Sequence, residues 1–278
     1  MENNLRKVAI QGILGSFHHE AAQQFFNNPF KLMPCNNFHD LPDILNSNTA
    51  QFAVMAIENS IAGALIPNYA IIDHNDLNIV GEVYLNIQQN LMALPNQNIG
   101  DIKRVHSHPM ALLQTREYFK QYPHITLVED VDTAHVARRI HKEKLKGVGA
   151  VASIAASEIY ELNVLESSIE TIKNNATRFF VLQNSVNPKY KIPHINKASL
   201  KFITKHETGS LSRALQIFVQ HNINLSKIQS MPIIEKPFEY AFFVDVVFED
   251  YSHYKQALVE LEDHISHLKI LGEYQQNN

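Results

Sequence analysis

The run Phe52-Ala53-Val54-Met55-Ala56-Ile57-Glu58-Asn59-Ser60 passes from six apolar residues directly to three polar ones. An unbroken apolar run of this length is typical of a strand buried on both faces, as in a parallel sheet. In open α/β sheets, ligands bind outside the carboxyl ends of the strands. The run therefore predicts a central strand, 52–57, that ends in a polar corner able to face a ligand.

Strand-like and helix-like stretches alternate on both sides of this run through about the first 190 residues, which predicts an α/β fold with a parallel or mixed sheet. The last 80 or so residues instead predict the order strand, helix, strand, strand, helix, strand, which is the ferredoxin-like βαββαβ order. A polar segment with two prolines, 184–197, lies between the two parts. We therefore expect two domains, 1–188 and 197–278.

Charge and composition exclude several classes of protein. The net charge of -4 argues against a nucleic-acid binder, which would need a basic stripe. The single cysteine, Cys35, cannot form an intrachain disulfide and fits a reducing compartment. The N-terminus lacks the apolar core of a signal peptide, and the apolar stretch 148–156 is too short to span a bilayer. We expect a cytoplasmic protein with neither a nucleic-acid nor a membrane partner.

Polar residues recur where predicted strands end, and hydroxyls, amides and helix N-termini together can bind carboxylates without a metal. These clusters are Gly15-Ser16, Glu58-Asn59-Ser60, Ser107-His108, Thr133 and Asn175 through Arg178. Two alternatives stay open. Ser16 and Thr133 could simply cap helices. Glu58 could be a general acid or a structural charge at the mouth of a cleft.

The stretch Lys173-Asn174-Asn175-Ala176-Thr177-Arg178-Phe179-Phe180-Val181 joins an amide, a hydroxyl and a guanidinium to an apolar strand. Alternation along an extended segment sends Asn175 and Thr177 to one face and Arg178 to the other, so that a bend is needed to bring hydroxyl and cation together. A hydroxyl donor beside a fixed cation suits an anionic substrate that loses an oxygen. The alternative is a polar turn that leads into a strand.

Spacing gives no support to a metal or nucleotide cofactor. The fifteen histidines show no HExxH or comparable ligand spacing. Neither GxGxxG nor GxxxxGK[ST] occurs. We therefore expect no metal and no cofactor.

Five motifs, in order along the chain, resemble those of prephenate dehydratases. They are Gly12–Ala22 (G-x-x-G-[ST]-F-S-x-x-A-A), Ile57–Gly63 (I-E-N-S-x-x-G), Ser107–Gln114 (S-H-P-Q-A-L-x-Q), Thr133-Ala134 (T-A) and Asn175–Phe179 (N-x-T-R-F). Any one would be weak, but five in sequence are strongly specific. Among the departures, His18 stands at the usual serine and Met110 at the usual glutamine.

The resemblance implies a catalytic domain of two α/β lobes around a cleft, like a periplasmic binding protein, followed by a ferredoxin-like ACT regulatory domain. The lobes would be about 1–80 plus 175–188, and 81–174. The implied activity is loss of water and carbon dioxide from prephenate to give phenylpyruvate in phenylalanine synthesis, without a cofactor. Two alternatives stay open: an arogenate dehydratase, whose substrate carries an amine in place of the keto group, and a non-catalytic amino-acid-sensing binding protein.

The resemblance also implies site residues. Thr177 would donate a hydrogen bond to the leaving hydroxyl, with Glu58 and Asn59 as further catalytic residues, while Arg178 would clamp a carboxylate. The implied substrate-binding set is Ser16, Ser60, Gly63, Ser107, Gln114, Thr133, Asn175, Arg178 and Phe179.

In the ACT part, Gly209-Ser210-Leu211 stands for the family's G-A-L, and Gln229-Ser230-Met231-Pro232 stands for E-S-R-P. The implied effector-binding residues are Gly209, Ser210, Leu211, Gln229, Ser230 and Pro232. Met231 removes an arginine and Gln229 a glutamate charge from the motif, whereas Gly209 and the following helix still offer backbone amides to a carboxylate. We expect feedback inhibition by phenylalanine, and self-association through the ACT domain into a homodimer or tetramer.

Overall fold

The structure, a computed structural model, describes residues 5–186, 190–233 and 236–277. Its strands are β1 (Arg6–Gln11), β2 (Phe30–Cys35), β3 (Phe52–Asn59), β4 (Gly63–Ala64), β5 (Leu77–Asn86), β6 (Asn90–Ala93), β7 (Arg104–Ser107), β8 (Thr126–Glu129), β9 (Val148–Ala152), β10 (Asn163–Glu166), β11 (Ala176–Asn184), β12 (Lys197–Thr204), β13 (Asn224–Ile233), β14 (Lys236–Val247) and β15 (Ile265–Tyr274). Its helices are α1 (Phe17–Phe26), α2 (Leu41–Asn46), α3 (Ile66–His74), α4 (Pro109–Phe119), α5 (Thr133–Glu143), α6 (Ile154–Ile159), α7 (Ser210–Gln220) and α8 (Tyr251–His264). No helix among these described residues is long and apolar enough to cross a membrane.

The first sheet has the order β2-β1-β3-β11-β5, and β4 pairs with the end of β3. β1 runs parallel to both β2 and β3. The apolar part of β3 is buried throughout, as its unbroken apolar run predicts. Because β3 and β11 are interior neighbours, the polar residues at the end of β3 lie beside the start of β11.

The second sheet has the order β10-β6-β9-β7-β8, with β7 parallel to β8 and β9, and β6 antiparallel to β9. Buried residues of α5 and α6 pack on one side and those of α4 on the other, in two separate hydrophobic clusters. Helices therefore cover this sheet on both faces, and α4 and α5 begin directly after β7 and β8.

The third sheet is antiparallel with the order β13-β14-β12-β15. Together with α7 and α8 it forms the predicted βαββαβ unit, whose core holds Phe202, Phe218 and Tyr254. The predicted fold class is confirmed: a mixed α/β chain whose first two sheets fit a two-lobed arrangement and whose third is ACT-like.

The chain forms two compact units. One contains residues up to 65 and 83–179; the other contains 66–82 and the residues from 180 onward. Within the second unit, Lys197 donates hydrogen bonds to both carboxylate oxygens of Glu82 at 2.9 Å, and both side chains are buried. Gly272 of β15 lies against the backbone of Ile79 in β5, where a Cβ would meet the Ile79 carbonyl. The predicted domain limits stay a prediction, and Pro188 of the predicted linker lies outside the described residues.

Candidate active site

A turn after β3 fixes the orientation of the Asn59 side chain. Its Oδ1 accepts hydrogen bonds from the backbone N–H groups of Ile61 at 3.0 Å and Ala62 at 2.9 Å. A backbone N–H can only donate, so the atom facing it must be the amide oxygen. Nδ2 consequently points the other way and donates to Oδ1 of Asn175 at 2.7 Å and to Oγ1 of Thr177 at 2.9 Å.

The hydroxyl oxygen of Thr177 therefore accepts a hydrogen bond from Asn59. The hydroxyl hydrogen points away from Asn59 and can be donated to another group. Within 5–186, 190–233 and 236–277, no protein group accepts that hydrogen. The residue is 9% exposed, so few solvent molecules reach it. Thr177 therefore presents a fixed hydrogen-bond donor near the start of β11, beside the carboxyl end of β3.

The side-chain amides of Asn59, Asn175 and Gln114 form a hydrogen-bonded row, here called the amide row. Asn175 donates through Nδ2 to Oε1 of Gln114 at 3.3 Å, and Nε2 of Gln89 donates to the same oxygen at 3.2 Å. Because that oxygen accepts twice, Nε2 of Gln114 remains a donor with no acceptor in the described part of the chain. The structure thus brings together Asn59, Gln114, Asn175 and Thr177, and adds Gln89, which sequence reasoning missed.

Arg178 is not brought to the same face as Thr177. β11 runs without interruption from Ala176 between β3 and β5, so the bend that would join the hydroxyl and the cation is absent. The pleat directs successive side chains to opposite faces. The Arg178 guanidinium is buried and lies 5.7 Å from the ring centroid of Tyr84 in β5. The opposite faces that alternation predicts are therefore kept, and a carboxylate clamp by Arg178 stays a prediction.

The other residues of the β3 turn hold it against β11. Ser60 donates its backbone N–H to the Ala176 carbonyl at 2.8 Å and accepts the Ala176 N–H on Oγ at 2.9 Å. Gly63 pairs with Asn59 across the turn at φ +81°, a backbone conformation that glycine adopts without strain. Glu58 precedes Asn59 in β3 and is half-buried. The Glu-Asn-Ser corner therefore adjoins Thr177.

Three further predicted residues have structural roles. Ser16 is the N-cap of α1, accepting the N–H of His19 at 3.3 Å. Ser107 is fully buried and donates its hydroxyl to the Val151 carbonyl at 2.6 Å, tying β7 to β9. Thr133 is the first residue of α5, whose cap is Asp132. Ser16 is thus a helix cap, whereas the cap of α5 is Asp132 and not Thr133; capping is compatible with contact to a ligand.

His18 links the Thr177 strand to the α5 cap. Its ring packs edge-on against Phe179, with centroids 5.0 Å apart, and alternation places Phe179 on the same face of β11 as Thr177. Its Nε2 accepts the Ala56 N–H at 3.3 Å. Burial lowers the pKa of His18 to about 4, although the nearby charge of Asp132 raises it. The imidazole is therefore neutral at physiological pH, with its proton on Nδ1.

A cavity of about 650 Å³ lies between the carboxyl ends of β1 and β2 and the start of α5. It is lined by three cations and three anions: Arg138, Arg139, Lys142, Asp130, Asp132 and Glu143. Arg139 and Asp130 pair with each other at 2.6 Å. Thr177 does not line this cavity; His18 contacts Phe179 of the Thr177 strand and is close enough to Asp132 for its charge to act on the imidazole. The position of these residues after β1 and β8 fits the rule that ligands bind at strand ends.

The predicted effector residues fall into two groups in the second unit. Gly209, Ser210 and Leu211 line a cavity of about 450 Å³ around the start of α7, where Gly209 is the N-cap at φ +80°. Gln229, Ser230 and Pro232 lie in β13, the edge strand of the third sheet, and do not line that cavity. Gln229 uses its Nε2 to bond the Ser230 carbonyl.

Comparison with known proteins gives a consistent result. The family model described as Prephenate dehydratase matches residues 8–187. The chain is similar to the bifunctional chorismate mutase/prephenate dehydratase of Aquifex aeolicus, with 33% identity covering 96% of this chain and 73% of the relative. It is 35% identical to arogenate dehydratase 2 of Petunia hybrida, covering 98% and 72%. The solved prephenate dehydratase of Staphylococcus aureus has a TM-score of 0.82 at 26% identity, covering 97% and 100%.

Proposed function

The chain belongs to the prephenate dehydratase family and is a dehydratase of aromatic amino-acid synthesis, and from this premise we propose that it converts prephenate to phenylpyruvate, carbon dioxide and water. The observation that carries the proposal is the 2.9 Å bond from Asn59 to Thr177, which leaves the threonine hydrogen available to a substrate oxygen. The same bond joins two of the motifs that resemble the family's, because Asn59 belongs to Ile57–Gly63 and Thr177 to Asn175–Phe179.

The reaction needs little covalent chemistry from the protein. The bond from the ring to its carboxylate breaks, its electron pair enters the ring, and the ring hydroxyl opposite leaves, taking up one proton to become water. Aromatisation drives the step. Charge develops on the departing oxygen, and a donor held in place before the reaction stabilises that charge without reorganising. Thr177 is such a donor, because Asn59 fixes its oxygen and the Asn59 turn fixes the amide.

The remaining predicted residues take supporting roles in the proposal. Nε2 of Gln114 and the Ser16 hydroxyl supply donors for the carboxylates, and Glu58 adjoins the leaving group. Because a threonine hydroxyl is a poor acid, Thr177 acts by hydrogen bonding, and the proton that completes water comes from another source.

Formation of phenylpyruvate from prephenate by the purified chain, followed spectroscopically, tests the activity. We expect turnover without any added metal or nucleotide. Thr177→Ala separates an enzyme from a binding protein: an enzyme loses most of its rate and keeps its substrate affinity. A chain that binds prephenate but forms no phenylpyruvate would refute the proposal.

Regulation by phenylalanine is the second part of the proposal. It is supported by the resemblance of residues 197–278 to an ACT domain and by the start of α7, where Gly209 is the N-cap and no side chain caps the helix, since a helix N-terminus suits a carboxylate. We propose the domain limits 1–188 and 197–278, self-association through the ACT domain, and a cytoplasmic location in keeping with the single cysteine. An unchanged rate and unchanged melting temperature in millimolar phenylalanine would refute the effector assignment.

A further inference from the structure

The strand β12 begins at a buried ion pair and ends at a cavity. Its first residue, Lys197, donates hydrogen bonds to both carboxylate oxygens of Glu82 at 2.9 Å, and both side chains are buried. Its last residue, Thr204, lines the cavity of about 450 Å³ around the start of α7, here called the effector cavity. One strand therefore joins the two features, and both lie in the second compact unit.

β12 is held firmly by the strands on both sides of it. It pairs antiparallel with β14 and with β15. Ser199 of β12 adds buried side-chain bonds to both neighbours, because its hydroxyl donates to Oδ1 of Asp245 in β14 at 2.5 Å and accepts from the Tyr274 hydroxyl in β15 at 2.7 Å. A displacement of β12 at the effector cavity is therefore shared by the whole strand.

The face of β12 that carries Lys197 binds α3 and the start of β5. Alternate residues of β12 pack in the core with α7 and α8, which leaves Lys197 and Lys201 on the opposite face. Lys201 pairs with Asp73 at the end of α3, and Lys269 of β15 pairs with both Asp73 and Asp76. Cations of the third sheet thus bind carboxylates of residues 66–82, although these lie in the predicted catalytic domain.

β5 leads from this ion pair to the amide row. The strand continues without interruption past Glu82. Directly after it, Ile87 donates its backbone N–H to the Asn175 carbonyl at 2.7 Å. Asn175 belongs to the amide row and accepts the Asn59 amide at 2.7 Å, and the same amide orients the Thr177 hydroxyl. The position of β5 therefore affects the position of the groups around Thr177.

Stability alone does not explain an ion pair at this place. Two well-packed apolar side chains of similar volume commonly give equal or greater stability than a buried ion pair. The pair differs from them in one respect, because its two members cannot be separated without leaving an uncompensated charge in the interior. Glu82 must therefore follow Lys197 when β12 moves, whereas apolar side chains could slide past each other.

We propose that the Lys197–Glu82 pair couples the effector cavity to the amide row. Phenylalanine in the cavity displaces β12, the pair moves β5 with it, and Asn175 shifts, so that the Thr177 donor is misaligned and the rate falls. The inference rests on the proposed function and deepens its second part, since it names the residues through which phenylalanine acts. Neither member of the pair is assigned a contact with the substrate, and both act through β5.

The test measures inhibition by phenylalanine and binding of phenylalanine separately, on the full chain. The variant Glu82→Met/Lys197→Met removes both charges and fills their space. The matched control is Lys255→Met/Glu273→Met, the same two changes at a lysine–glutamate pair that joins α8 to β15 at 3.6 Å. Initial rates of phenylpyruvate formation from prephenate are measured with and without millimolar phenylalanine, and binding is measured by isothermal titration calorimetry.

We expect saturating phenylalanine to lower the rates of the wild type and the control about tenfold, but that of Glu82→Met/Lys197→Met less than about twofold. Without phenylalanine, kcat of this variant stays within about threefold of the wild type, and so does its dissociation constant for phenylalanine, because the cavity and the amide row are unaltered. If circular dichroism shows that the variant is unfolded, Glu82→Gln/Lys197→Met, which also removes both charges, is measured in its place.

Two results would overturn the inference and leave the proposed function intact. One is a variant that phenylalanine inhibits as strongly as it does the wild type. The other is a variant that loses inhibition because it no longer binds phenylalanine, as expected for residues that only support the cavity. A wild type that is active on prephenate but does not bind phenylalanine would refute the effector assignment and the inference with it. A wild type inert on prephenate would refute the proposed reaction.

Discussion

Replacing Thr177 with valine removes one hydrogen-bond donor and almost nothing else. Valine has the shape of threonine, and β11 favours β-branched residues. Asn59 loses the acceptor at 2.9 Å but keeps Oδ1 of Asn175 at 2.7 Å, so its amide is still anchored. We therefore expect a loss of only about 1 kcal/mol in the free energy of unfolding, the typical net contribution of one hydrogen bond.

The effect on the rate is much larger. A single preorganised donor facing developing negative charge contributes about 3–4 kcal/mol to transition-state stabilisation, so that kcat falls about 10²–10³-fold in Thr177→Val. The hydroxyl acts on charge that appears only in the transition state, and KM consequently changes little. Thr177→Ser keeps the hydroxyl on a less restricted side chain and retains most of the rate.

The assay is initial-rate formation of phenylpyruvate from prephenate, with urea unfolding measured on the same preparations. Thr115→Val is the matched control, because Thr115 is also a buried threonine but donates its hydroxyl to the Ala111 carbonyl within α4. A kcat in Thr177→Val within tenfold of wild type, or a fall equal to that in Thr115→Val, would show that the hydroxyl does not assist the leaving group.

Three further predictions concern stability. Lys197→Met leaves the buried Glu82 carboxylate without its ammonium partner and costs about 3–5 kcal/mol in urea unfolding, while the double variant with Glu82→Met recovers most of that loss. His18 is neutral when folded, so the unfolded chain binds the extra proton between pH 6.5 and about 4 and stability falls as the pH drops, by up to ~3 kcal/mol; His18→Gln should show a shallower fall when the two are compared by urea unfolding at pH 6.5 and 4.5. Gly272→Ala forces a Cβ to 2.6 Å from the Cβ of Ile79, so its melting temperature falls, and an unchanged value would mean that the two strands separate freely.

The central strands and the third sheet could be predicted because local pattern and tertiary position agree there. The apolar run of β3 is buried on both faces, and the order of elements from β12 to β15 follows from alternation and helical periodicity. β2 was missed because it is an edge strand that contains Pro34, which weakens the strand pattern. α3, with Pro67 in its first turn, was also missed.

The candidate site was predicted in part. Asn59, Asn175 and Thr177 could be placed together, since two strand ends that meet at one sheet edge bring their polar residues close. Gln89 could not be found from the sequence, because it joins the row through Gln114, 25 residues away, and no spacing encodes that contact. Alternation placed Arg178 on the face opposite Thr177, but a run of nine residues does not reveal whether its strand lies in the middle of a sheet, where a bend would break bonds on both sides.

The row of amides from Asn59 through Asn175 to Gln114 has one polarity, set at one end by the two N–H groups of the Asn59 turn, and Gln89 donates to the same Gln114 oxygen from the other side. Carboxamides neither gain nor release protons near neutral pH. The row can therefore orient the Thr177 hydroxyl but cannot supply it with a proton. Proton delivery and electrostatic assistance are thus separate tasks in this centre. A solvent deuterium isotope effect would report on the first alone, and its size should be the same in wild type and Thr177→Ser.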